Sequence, residues 1–169
     1  APTLEPTITP SPTFASLAQD VWCIPWNTPA VPAQVVKVLD GVTIEVNLNG
    51  AVVPVRYIGV DLLEFGDDAS IWARMTDVNR DLVGGKTVLL VKDRSETDDE
   101  GRLLRYVLVQ GMFANLEMVS SGYAVAASTP PNQSCDALLL EAQMEATQAR
   151  IGLWAPDPTA TRILMPSPM

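Results

Sequence analysis

Histidine is absent from this chain of 169 residues. Its absence removes the commonest general acid–base side chain and the commonest zinc ligand. Cysteine is nearly absent, with Cys23 and Cys135 the whole complement, too few to build a metal site alone. Two cysteines so far apart, in a chain that reads as exported, point to a disulfide, with two buried thiols as the alternative. A bridge closing a loop of that length would stabilise by up to about 4–5 kcal/mol on a loop-entropy estimate. No apolar run approaches the roughly 18 residues of a membrane-spanning helix. No charged-then-apolar leader opens the chain at Ala1, and any export signal is expected to have been removed or to lie outside this sequence.

Basic residues are scarce as well. Lys and Arg number 11 against 20 Asp and Glu, a net charge of -9. Only Glu5, Asp20 and Asp157 among the acids, and Arg162 among the bases, lie outside 34–156, so the acidity belongs to the central domain. Such a surface repels nucleic acid at long range, whereas proteins that bind it present a basic face. A local basic cleft is compatible with this balance, but strong electrostatic capture is not. Nucleic acid is therefore a disfavoured partner, a protein partner remains open, and a monomer is expected.

Against these absences stands an apolar content of 47%, enough for a core and for one domain with tails. Residues 1–13, APTLEPTITPSPT, are rich in Pro and Thr and read as an extended stalk or linker. Residues 14–33 hold Phe14, Trp22, Cys23 and Trp26 and read as an arm packed on the domain, its tryptophans packing rather than stacking on a ligand. The domain is expected over 34–155, followed by a Pro-rich tail at 156–169.

The stretch Val35 to Glu64, VVKVLDGVTIEVNLNGAVVPVRYIGVDLLE, alternates apolar and polar residues, with turn signals at Asp40-Gly41 and Asn49-Gly50. That is a three-stranded antiparallel meander over about 34–39, 43–48 and 52–59. Pro54 lacks an N–H and belongs at an edge or bulge. Asp67 or Asp68 then caps a helix carrying Ile71, Met75, Val78 and Leu82 on its core face, ended by Gly84-Gly85. Strands at about 87–93 and 103–109 flank a polar loop, RSETDDEGR. A short helix at 114–121 ends at Gly122. A last helix, about 134–150, is capped by Asn132 or Ser134, begins its apolar face at Cys135 and stops at Gly152. The sum is an α+β, mainly β fold. It is a five-stranded OB-fold barrel with one helix between strands three and four and two C-terminal helices.

Arg56, Asp61 and Glu64 cluster at the far end of the meander, where a purely structural sheet has no need of three charges. The pieces VVKVLDGVTIEV, VRYIGVDLLE, DDEGRLLRYV, NLEMVSSGYA and EAQMEATQARIGLW, in this order and spacing, resemble the staphylococcal nuclease family. That family's OB barrel carries calcium-dependent phosphodiester hydrolysis. The resemblance implies roles residue by residue. Arg56 contacts the phosphate, and Arg102 stabilises charge on the pentacovalent phosphorus and leaving oxygen. Asp61 ligates calcium, joined by the backbone carbonyl of Leu62. Glu64 is the general base or orients the water. The chemistry is coherent: a hard cation polarises the phosphate, guanidinium forks hold its oxygens, and a carboxylate aims the water.

The sequence departs from the family where the metal should sit. The family's Asp-Gly-Asp-Thr is Asp40-Gly41-Val42-Thr43 here, and valine offers no oxygen, so the calcium site is expected to be degenerate. Leu62-Leu63 replace Thr-Pro, and Glu100 replaces the aromatic before Gly101. Asp40 is expected as a turn residue, Asp98, Asp99 and Glu100 as a solvated acidic loop. A structural ion pair between Arg56 and Glu64 is the plain alternative to catalysis. Three functions stay open. One is a secreted or surface-anchored nuclease-like hydrolase with weak or lost calcium-dependent activity. The others are an inactive module binding a partner or oligonucleotide, and a structural domain on a stalk.

Overall fold

The fold is built on one long, bent strand. The computed structural model describes residues 21–25, 28–64 and 66–156. Expectations for 1–20, Trp26 and the tail beyond Pro156 lie outside these residues. Strand β1 (Val31–Asp40) pairs antiparallel with β2 (Thr43–Leu48) through residues 34–40 and with β5 (Thr87–Val91) through residues 31–34. Register shifts between Val35 and Lys37, and between Val38 and Asp40, bend it, as an extra residue in one strand does. Val36 and Leu39, the extra residues, are exposed while Val35 and Val38 remain in the core. The strand begins at Val31, three residues ahead of the expected start, because Pro32 and Ala33 still pair with β5.

From β2 the chain turns at Asn49-Gly50, both at positive φ, into β3 (Ala51–Tyr57), and then β4 (Val60–Asp61). Pro54 pairs only with Glu45, just before β3 meets β6 (Leu103–Val109) in parallel at Val55 to Tyr57. It thus occupies the unpaired edge of β3, where a missing N–H costs nothing. The order β3-β2-β1-β5-β6, closed by the β3–β6 pairing, makes the five-stranded barrel. Short β7 (Met112–Phe113) extends β6, and β4 pairs with β8 (Val125–Ala126) outside the barrel.

Three α-helices pack around this barrel. Helix α1 (Ala69–Val83) is capped by Asp68, whose carboxylate accepts from the Ser70 N–H at 2.9 Å. Its buried residues are Met75, Asn79 and Val83, whereas Ile71, Val78 and Leu82 are only half-buried. The core face is therefore rotated from the apolar stripe, and a polar residue sits at its centre. Asn79 donates to the Asp40 carbonyl at 2.9 Å and accepts from the Tyr57 hydroxyl at 2.8 Å. It ties the helix to the Asp40-Gly41 turn.

Helix α2 (Ala114–Ser120) buries Asn115, which receives the Val107 N–H at 2.9 Å and donates to the Ile58 carbonyl at 2.9 Å. Helix α3 (Asp136–Gln148) starts at Cys135, with no side-chain cap. Asn132 instead accepts from the N–H groups of Arg94 and Ser95, and Ser134 bonds the buried Asp93. The expected caps are thus spent on fixing residues 93–95, just beyond β5. The helix stops at Ala149, and Arg150 takes the left-handed conformation ahead of Gly152. Gly122 and Gly152 lie back to back, where a Cβ on Gly122 would collide with the Ile151 carbonyl. This lets the final turn Gly152–Trp154 close onto α2.

Cys23 is bonded to Cys135, 112 residues apart. Val21 and Ile24 are buried beside that bridge, while Trp22 is 70% exposed. The arm thus fills core space, but not with Trp22. Replacing both cysteines by serine is expected to lower stability by about 2–5 kcal/mol, read by urea denaturation against the oxidised parent.

Candidate active site

The candidate site stands where β3 meets β6. The register sets Arg56 opposite Thr43 on β2 and Leu104 on β6, so Arg102 enters β6 two residues before Arg56's neighbour. Arg56 is largely buried at its head. It donates to Asp61 at 2.7 Å, to the Val60 carbonyl at 3.1 Å and to the Val42 carbonyl at 3.5 Å. The ion pair expected as an alternative, Arg56 with Glu64, is replaced by Arg56 with Asp61. The short β4 puts Asp61 within reach, and the Leu62 N–H fixes the same Asp61 oxygen at 2.8 Å.

Glu64 is exposed. It shares a groove of about 340 Å³ with Asp61, Leu62, Leu63, Val125, Ala127 and Trp154. Neither Arg56 nor Arg102 lines that groove. Trp154 went unrecognised as a site residue, because a tryptophan after a C-terminal helix reads as packing. Only the tertiary return of the final turn brings it beside two carboxylates.

Arg102 is held by the loop that precedes β6. Its Nε donates to Asp98 at 2.7 Å, and its Nη1 lies 3.6 Å from Glu100. Asp98 also accepts from the N–H groups of Glu100 and Arg102. Burial alone would raise the Asp98 carboxyl, but these bonds to Arg102 and Glu100 hold it below the ordinary carboxylate range. The loop expected to be a solvated acidic run is therefore organised around Arg102. The structure brings together Arg56 with Asp61, Asp61 with Glu64, and Arg102 with Asp98.

The donors around the metal position are few. Val42 is 1% exposed and belongs to the hydrophobic core. The Leu62 side chain lies against Gly41, so that a Cβ there would meet its Cδ2 at 3.0 Å. Asp40 receives the Val42 N–H at 2.8 Å, the role of a turn residue. Among the described residues, no three Asp, Glu or Cys side chains gather closely enough to hold a metal ion. Calcium takes roughly six to eight oxygens. Waters and backbone carbonyls are part of that number, and the protein donors beside the groove are Asp61, with one oxygen already bonded twice, Glu64 and the Leu62 carbonyl.

The fold and this arrangement define a nuclease-type OB barrel. The profile described as staphylococcal nuclease homologue matches residues 54–156. An uncharacterised endonuclease of Escherichia coli is 36% identical over 126 residues, covering 74% of this chain and 78% of that protein. A thermonuclease of Staphylococcus intermedius is 32% identical over 128 residues, covering 70% and 73%. An uncharacterised protein of Bacillus anthracis is 33% identical over 137 residues, and the match spans 74% of this chain and only 61% of that protein. The chain belongs to the staphylococcal nuclease homologue family, whose members typically use calcium.

Replacing Asp98 by Asn tests the loop. The lowered carboxyl contributes stability above the ordinary carboxylate range, near pH 4, and loses it as pH falls through its folded value. The variant is expected to be less stable than the parent by about 1–2 kcal/mol at neutral pH. The gap should close as pH falls below the ordinary carboxylate range, read by urea unfolding across pH.

Proposed function

We propose that this is an extracytoplasmic nuclease-family protein whose calcium-dependent phosphodiester hydrolysis is strongly reduced or lost. The observation that carries the reading is Val42. It is an aliphatic side chain 1% exposed where the family supplies an oxygen, so no catalytic step is assigned to a metal here. The disulfide between Cys23 and Cys135 fits an oxidising compartment. No helix among the described residues is long and apolar enough to cross a membrane. Attachment through the 1–13 stalk is part of the same proposal.

Within this reading Arg56 and Arg102 contact phosphate oxygens, and Glu64, exposed at the groove, directs a water. Each arginine must first give up a carboxylate contact to the phosphate, Asp61 for Arg56 and Glu100 for Arg102. Those exchanges subtract from transition-state stabilisation, because a guanidinium already neutralised gains less from the incoming charge. The same pairings favour a second reading, a catalytically silent module that binds an oligonucleotide or protein partner.

Single-stranded DNA and RNA cleavage in excess calcium separates the two. Turnover is expected at least about 100-fold below that of a family member with its metal ligands complete, as for loss of a metal site. Residual cleavage should vanish in Arg56→Gln and in Arg102→Gln. Saturable oligonucleotide binding without cleavage supports the silent module. Full calcium-dependent cleavage by the unmodified protein refutes the proposal.

A further inference from the structure

The acidic run Asp98-Asp99-Glu100 has no part in the hydrolytic roles above, and its three carboxylates behave differently. The Asp98 side chain is 19% exposed and bound to Arg102 and to two backbone N–H groups, a fixed part of the loop. The Glu100 side chain is 73% exposed and stands 3.6 Å from Arg102 Nη1. That is a charge contact too long for a good hydrogen bond. Asp99 is exposed and makes no ion pair with Arg102 among the described residues.

An exposed pair of this kind contributes about 0–1 kcal/mol. An anion arriving at Arg102 can therefore push the Glu100 side chain aside. It cannot remove the charge, which stays tethered two residues away at the mouth of the site. Repulsion grows with the product of the charges, so a dianion meets about twice the penalty of a monoanion.

We infer that Glu100 is a specificity-determining residue, a charge filter beside Arg102. It disfavours dianionic phosphomonoester ends relative to internal, monoanionic phosphodiester links. The inference rests on the reading of Arg102 as a phosphate contact and does not need turnover. Under this filter a strand is engaged along its interior rather than at a phosphorylated end.

The test reads anion binding at Arg102 itself. The Arg102 Nε–H resonance is followed by NMR, assigned by its loss in Arg102→Lys. Methyl phosphate serves as the dianion and dimethyl phosphate as the monoanion, at about pH 8, above the second phosphate pKa near 6. At low salt, Glu100→Gln is expected to tighten methyl phosphate about tenfold and dimethyl phosphate about threefold. Asp99→Asn, with the same change in net charge, should shift either by less than about twofold, and half-molar salt should erase the differences. Equal tightening of both anions by Glu100→Gln, no tightening, or an equal effect of Asp99→Asn overturns the filter while leaving Arg102 a phosphate contact. No response to either anion in any variant overturns both.

Discussion

The barrel closes on three parallel residue pairs, Val55 with Leu103, Arg56 with Leu104 and Tyr57 with Arg105. Every other contact in the barrel is local hairpin pairing or the return of β1 to β5. This seam joins strands separated by two strands, a helix and a long loop, and it needs support. Asn115 gives it from one end, bridging Ile58 and Val107, and the Ile58 N–H donates to the Arg105 carbonyl at 3.0 Å. Asn79 holds the neighbouring turn from the other side. Buried amides satisfied at both ends fix geometry that apolar packing alone would leave loose. Arg56 stands on this seam and Arg102 at its start, so its closure sets the spacing of the two arginines along the backbone.

Closure does not set where the guanidiniums point. Both are drawn to carboxylates supplied by adjacent chain, Asp61 five residues after Arg56 and Asp98 four before Arg102. In a chain of net charge -9, both of these arginines find a carboxylate within their own fold. The result is a family scaffold whose two candidate-site arginines are already paired with carboxylates before any ligand arrives. The acidity thus has a local expression at the site as well as a long-range one.

Much of the architecture was legible because period-two alternation and the Asn49-Gly50 turn report directly on backbone geometry. The bounds of β2 follow from that alternation. The core face of α1 was not legible. Asn79, a polar residue in an amphipathic pattern, reads as solvent-facing, yet its two hydrogen bonds make it the centre of the buried face. Asn132 misled for a related reason: a good capping residue was used as a clamp on the loop that follows β5. At the site, Arg56, Asp61 and Glu64 were recognisable from their spacing. Their partners were not, since ion pairing depends on side-chain direction and on loops such as 94–102. Trp154 joins the groove only through the Gly122–Gly152 contact, a meeting of distant backbones with no local signature.

Val42 concentrates the functional question, because it exchanges an oxygen donor for core burial at the turn that Asn79 holds. Calcium-dependent thermal stability of the parent and of Val42→Asp tests this most directly, since a cation bound to the folded state raises its unfolding temperature. The account predicts a parent whose unfolding temperature does not move with millimolar calcium. It predicts a Val42→Asp variant destabilised without calcium, by about 1–3 kcal/mol or more for a buried unpaired carboxylate, and partly restored with it. A parent stabilised by calcium as strongly as the variant would mean that the site is complete without an oxygen at position 42, and the account would be wrong.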